Sequence, residues 1–223
     1  MIRLKGAEPF EVWRVNLRQE APPPGVLSTD EQDRAARFVF ARDRQRFEVA
    51  HGALRTCLGL RLGVSPGTLR FASGAFGKPS LEPAAGLGQC SFNLSHSEDV
   101  ALIAMGNGAA VGVDIECWRA MPDAVDLARH HFAAAEIAAV EETAQSQRDG
   151  LFLSIWTRKE ACLKAIGMGL SSPTNSFDVG AHDNCQTLVR IPDGTRQHSV
   201  MVRPLEAGAG VIAALAWVVE PLH

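Results

Sequence analysis

Apolar and polar residues alternate through Phe10-Glu11-Val12-Trp13-Arg14-Val15-Asn16-Leu17, a two-residue period that predicts a strand over 10–17. Ala21-Pro22-Pro23-Pro24-Gly25 then interrupts any regular structure. Ser28 or Thr29 is placed to cap a helix, with Glu31 and Gln32 in its first turn, and the pattern predicts helices over 29–40 and 43–62. In the second, Phe47, Ala50, Leu54, Cys57, Leu58 and Arg61 recur at helical spacing until Gly63-Val64-Ser65-Pro66-Gly67 stops it. After Leu69-Arg70-Phe71, the segment Ser73-Gly74-Ala75-Phe76-Gly77-Lys78-Pro79 reads as a turn with Lys78 exposed at its tip. A strand is expected from Gln89 to Ser95, running into His96 and Ser97.

Apolar runs at 100–105 and 109–115 flank Gly106-Asn107-Gly108, which predicts a hairpin. Helices follow over 123–146, with Phe132 to Glu136 mid-way, and over 150–166, ended by Gly167-Met168-Gly169-Leu170. The tail reads as strands at 177–179, 187–191, 199–202 and 211–219. Each half is thus a few helices with an antiparallel sheet, an α+β chain divided near 107–110 into 1–108 and 109–223. Identity between the halves reveals no internal repeat.

Two stretches carry chemistry. In Val111-Gly112-Val113-Asp114-Ile115-Glu116 the two carboxylates leave one side of a strand while Val113 and Ile115 leave the other. Gly112 can admit close backbone approach by a ligand. In Trp156-Thr157-Arg158-Lys159-Glu160-Ala161-Cys162-Leu163-Lys164-Ala165, residues Trp156, Glu160 and Lys164 lie four apart on one helix stripe. Asp114, Glu116 and Glu160 can form an oxygen site for Mg²⁺, with Lys159 and Lys164 beside it for a metal-bound phosphate. Each part also has an ordinary reading. Asp114 and Glu116 fit a solvated strand end, Glu160 and Lys164 a surface pair, and Trp156 a core position.

Composition narrows the choice. The net charge of −3 over 223 residues argues against a general nucleic-acid binder or a nuclease, although Arg34, Arg37, Arg42, Arg44 and Arg46 leave a local positive excess able to hold phosphates. No apolar run reaches the roughly 18 residues of a membrane span. Five scattered cysteines without Cys-x-x-Cys imply reduced thiols and a cytoplasmic setting.

Together and in this order, Phe76-Gly77-Lys78-Pro79, Phe92-Asn93-Leu94-Ser95-His96-Ser97, Val111 to Glu116 and Trp156 to Leu170 resemble the 4'-phosphopantetheinyl transferases, in particular the longer surfactin-synthetase-activating type. The segment from Phe38 to Arg55 resembles that family's arginine-rich helix region. The resemblance implies two similar α+β halves related by pseudo-two-fold symmetry, with coenzyme A in the cleft between them, and a monomer. It implies transfer of the phosphopantetheine arm to a serine of an apo acyl or peptidyl carrier protein. It also implies Mg²⁺ on Asp114, Glu116 and Glu160, with Glu116 serving as ligand or base, and Lys164 easing departure of the leaving phosphate. Lys159 is a second cation in this picture. Lys78, Ser95 and His96 fall near the nucleotide's phosphates, and Arg46 and Arg34 near the 3'-phosphate. Phe132-Ala133-Ala134-Ala135-Glu136 departs from the family in its alanines, and the role of Glu136 is open. A different Mg²⁺ phosphohydrolase and a non-catalytic coenzyme A or carrier binder are the competing readings.

Overall fold

The computed structural model describes residues 1–19, 21–74, 76–82, 90–169, 173–181 and 185–219. The first half runs β1 (Ile2–Arg3), β2 (Glu11–Asn16), α1 (Thr29–Ala36), α2 (Ala41–Leu62), β3 (Phe71–Ser73), β4 (Pro79–Leu81), β5 (Cys90–Ser97) and β6 (Val100–Asn107). The second runs β7 (Val111–Cys117), α3 (Ala124–His131), α4 (Ala134–Glu142), α5 (Gln145–Ile166), β8 (Thr187–Asp193), β9 (Arg196–Pro204) and β10 (Val211–Val218). Each half supplies one four-stranded antiparallel sheet, ordered β1-β2-β6-β5 and β7-β10-β9-β8, and β3 pairs with β4 apart from both.

Strand alternation sorts the side chains into layers. Val15, Ala101, Ile103 and Met105 leave one face of the first sheet and pack under Ala50, Leu54, Cys57 and Leu58 of α2. Val12, Leu102 and Ala104 leave the other face and meet Val111, Val113, Ile115, Ala213 and Leu215 of the second sheet. Beyond that sheet, Val200, Val202, Ala214 and Ala216 pack under Leu153, Ala161 and Cys162 of α5. The order is helix, sheet, sheet, helix, with an apolar layer between each pair.

The halves repeat one plan, as expected. In each, the strand before the helices pairs with the last strand, which pairs with its predecessor: β2-β6-β5 in one, β7-β10-β9 in the other. The long helices α2 and α5 both have 22 residues, and both end at a glycine in the left-handed region, Gly63 and Gly167. A short 3-10 turn follows each, Pro66–Thr68 and Thr174–Ser176.

Several local expectations are corrected. Gly106-Asn107-Gly108 is not a hairpin, because β6 already has β2 and β5 on its two edges. The chain instead crosses there into the second sheet, with Gly108 at φ 77°. The helix expected over 123–146 is two helices, since Phe132 adopts an extended conformation and buries its ring. The last helix starts at Gln145, and residues 177–179 form no strand. Gln89, Ala75 and Leu170 lie outside the described residues.

Candidate functional site

The edge strands β5 and β7 lie side by side, joined through side chains. Asn93 Oδ1 accepts from the Val113 amide at 2.9 Å, and Ser97 Oγ accepts from the Cys117 amide at 3.0 Å. Between them Ser95 Oγ donates to Asp114 Oδ1 at 2.8 Å. Partners advance together along both strands, so the strands run in the same direction across this seam.

Asp114 and Glu116 leave β7 on the α5 side. The helix comes unusually near, because a Cβ at Gly112 would stand 2.1 Å from the Ala161 carbonyl oxygen and 2.3 Å from the Ala165 nitrogen. The close approach that Gly112 permits is therefore by α5 and not by a ligand. It brings Lys164 Nζ within 2.5 Å of Asp114 Oδ1 and 3.0 Å of Ser95 Oγ. Asp114 is 4% exposed. Its Oδ2 and Glu160 Oε1 are buried without a hydrogen-bond partner among the described residues. An unpartnered buried carboxylate oxygen is costly, so these two atoms are where a cation would be stabilising.

Burial pushes the Asp114 carboxyl above its ordinary range, opposed by Lys164 and Ser95. Glu160 is pushed up to about 6 by burial, opposed by the charge of Lys164 and aided by the like charges of Asp114 and Glu116. The third carboxylate, Glu116, turns aside: its Oε2 accepts from Arg119 at 2.7 Å and from Ser97 at 3.2 Å. Consequently no set of three His, Cys, Asp or Glu side chains is arranged for a metal among the described residues. Two unpartnered oxygens and one carboxylate held by a displaceable surface arginine nevertheless fit a hard cation that takes oxygen ligands and keeps water.

Lys159 is the clearest correction. It directly precedes Glu160, about 100° around the helix, and its side chain is fully buried away from Lys164. Its Nζ lies 2.7 Å from Glu136 Oε2 and donates to the carbonyls of Thr174 and Phe177. Glu136 also accepts from the Val179 amide and, at the start of α4, from the Ala133 amide. The open role of Glu136 is thus structural. With alanine at the cap, only the glutamate half of a capping box remains. Burial pulls Glu136 up and Lys159 down, and their mutual attraction opposes both.

Lys78 is likewise not an exposed tip. Its Nζ crosses from the first half to the carbonyls of Val111 and Ala165, 2.9 Å from each, and burial lowers its pKa to about 8. Ala165 sits in the last turn of α5, where a cation meets free carbonyls and the negative end of the helix dipole.

A cleft of about 510 Å³ lies in the first half, lined by Glu31, Arg34, His51, Arg70, Phe71 and His96 among others. It reaches the seam at Asn93, Leu94 and His96, on the strand whose Ser95 touches Asp114. His96 lies within the cleft walls, and their partial burial of the ring lowers its pKa, aided by Lys164, Arg46 and His51. Arg46 lines a neighbouring hollow instead and is held by Asp99 Oδ1 at 2.8 Å and Glu98 Oε2 at 2.9 Å. Arg34 lines the main cleft, with its guanidinium 5.1 Å from the Phe47 ring. His51 and Arg70 were not anticipated from the sequence. Both project from segments whose pattern shows only a helix face and a short strand.

A family model described as the 4'-phosphopantetheinyl transferase superfamily matches residues 110–216, and one described as 4'-phosphopantetheinyl transferase, N-terminal, matches 13–107. The chain is 36% identical to the 4'-phosphopantetheinyl transferase HetI of Nostoc sp. over 169 residues, covering 74% of this chain and 71% of that one. It is 33% identical over 198 residues to a putative 4'-phosphopantetheinyl transferase of Synechocystis sp., covering 86% and 79%. It is 26% identical over 167 residues to the 4'-phosphopantetheinyl transferase Sfp of Bacillus subtilis, covering 75% and 72%. A two-half fold with its seam carboxylates, matched in both halves and along most of its length by these relatives, places the chain in the 4'-phosphopantetheinyl transferase superfamily, alongside HetI and Sfp.

Proposed function

We propose that this protein transfers the 4'-phosphopantetheine arm of coenzyme A to a serine of an apo carrier protein. In that step the serine oxygen bonds to the phosphorus bearing pantetheine. The phosphoanhydride bond breaks, and adenosine 3',5'-bisphosphate leaves. The observation that carries the reading is the pair of buried oxygens, Asp114 Oδ2 and Glu160 Oε1, without a hydrogen-bond partner among the described residues, beside Lys164 at the seam that the cleft reaches.

Asp114 and Glu160 would hold Mg²⁺. When bound, this ion neutralises the diphosphate and stabilises charge developing on it. Lys164, already against Asp114, is placed to give a charged hydrogen bond to the departing phosphate. Glu116 either completes the oxygen set by releasing Arg119 or takes the serine proton. His96 and Arg34 face the nucleotide from the cleft, while Arg46 reaches a phosphate only by exchanging Glu98 for it. Ser95 and Lys78 position the site: Ser95 fixes Asp114, and Lys78 ties the first half to β7 and α5. Residues 1–108 would contribute the nucleotide contacts and 109–223 the carboxylates and Lys164. Because one chain supplies both sides, a monomer suffices.

Intact-mass spectrometry tests this. An apo carrier protein is incubated with the enzyme, coenzyme A, and either Mg²⁺ or EDTA. The expected result is a Mg²⁺-dependent gain of one phosphopantetheine. No gain across polyketide, peptide and fatty-acid carriers, with coenzyme A still bound, would leave a non-catalytic binder.

A further inference from the structure

We propose that His51 is a ligand-binding residue of the first-half cleft, donating a hydrogen bond to a phosphate oxygen of the nucleotide end of coenzyme A. The inference rests on the transferase reading above. It names a contact that neither the motifs nor the seam requires.

The internal two-fold isolates this residue. His51 stands twelve residues before Gly63, which ends α2, and Ile155 stands twelve before Gly167, which ends α5. Ile155 is fully buried among apolar neighbours. The shared fold therefore accepts an aliphatic side chain at this position. In the first half the same position carries an imidazole, 24% exposed and lining the cleft. A polar group where the fold accepts a hydrocarbon needs a reason beyond packing.

The surroundings orient it. Glu31 Oε1 lies 3.0 Å from His51 Nδ1. Glu31 is held ionised at about 2, because its bonds from His51 and Ser28 and the charge of Arg55 outweigh its burial. An ionised carboxylate only accepts, so Nδ1 carries the hydrogen and Nε2 is the nitrogen left for another partner. Phe47 stacks on the ring with centroids 4.0 Å apart, which fixes its plane. The counterpart glutamate, Glu136, is surrounded by backbone amides and Lys159 and has no histidine.

The cleft chemistry selects the ligand. Arg34 and Arg70 line the same cleft, and neither forms an ion pair among the described residues. A phosphate oxygen only accepts, so it would take its hydrogen bond at Nε2 while Glu31 accepts at Nδ1.

The test is titration calorimetry on the full chain with coenzyme A, dephospho-coenzyme A and 4'-phosphopantetheine, for the wild type, His51→Leu and His51→Gln. Leucine mimics the second half, and circular dichroism checks both folds. The expected result is about a tenfold loss of coenzyme A affinity in both variants, the scale of one charged hydrogen bond. If only coenzyme A weakens, the contact is to the 3'-phosphate. If coenzyme A and dephospho-coenzyme A weaken alike, it is to the diphosphate. Folded variants that bind coenzyme A within twofold of wild type, while the wild type still transfers the arm, overturn this inference alone. A wild type that neither binds coenzyme A nor transfers overturns the transferase reading with it.

Discussion

Arg55 and Lys159 occupy the same place in the two halves of the molecule. Each stands eight residues before the glycine that ends its long helix. Each is buried, and each meets a glutamate in the first turn of a preceding helix, Glu31 for Arg55 at 2.6 Å and Glu136 for Lys159 at 2.7 Å. Each also donates to two carbonyls of the segment after the helix, at Pro66 and Leu69 or at Thr174 and Phe177. One cation thus fastens three pieces of chain in each half.

Lys159→Met should leave Glu136 buried and unpaired. The expected cost is about 3–5 kcal/mol of unfolding free energy, read by urea denaturation. The double variant Lys159→Met with Glu136→Leu should recover much of it. A Lys159→Met protein of wild-type stability with selectively weaker coenzyme A binding would restore the ligand role.

Glu31 makes the first half acid-sensitive. Its carboxyl is held down to about 2 in the folded protein, below the ordinary 4.5. The stabilisation is therefore present above pH 4.5 and is lost as pH falls towards 2. A shift of this size corresponds to roughly 3 kcal/mol. Urea midpoints measured between pH 6 and pH 2 should fall more steeply for wild type than for Glu31→Gln.

Glu160→Gln should abolish transfer and raise the melting temperature in EDTA. It removes charge from a buried oxygen that has no hydrogen-bond partner among the described residues. Differential scanning calorimetry and the mass assay read the two effects separately. Full turnover in this variant would remove Glu160 from the metal site.

Gly112→Ala should impair both properties at once. The added methyl collides with the α5 backbone at Ala161 and Ala165, which cannot swing aside like a side chain. Overpacking of this kind costs about 1–3 kcal/mol. It also moves Glu160 and Lys164 away from Asp114, so transfer should fall by more than the loss of folded protein explains. Equal losses in both would mean the α5 spacing does not matter to the chemistry.

Local periodicity made the site elements legible. The two-residue alternation in β7 put Asp114 and Glu116 on one face, and the four-residue spacing in α5 aligned Glu160 with Lys164. Lys159 was misread because adjacency in sequence is separation around a helix, and only tertiary packing reveals that its direction is inward. Gly106-Asn107-Gly108 carried a genuine turn signal, but whether a turn closes a hairpin depends on which strand edges are already occupied. That is long-range information. The two-fold was implied by the family resemblance but left no trace in identity between the halves, which share a plan and one ion-pair arrangement while using different residues, arginine in one and lysine in the other. His51 was missed because a lone histidine on a helix has no periodic signature.

The seam between β5 and β7 is closed by Asn93, Ser95 and Ser97 and not by a backbone ladder. The outer edge of β7 therefore has its Val113 and Cys117 amides met by side chains of the first half. Produced alone, the second half would expose that edge together with the apolar face now pressed against its sister sheet, a template for pairing with any copy of itself. One strand thus does two jobs at once: Asn93 and Ser97 cap the β7 amides, and Ser95 between them holds Asp114.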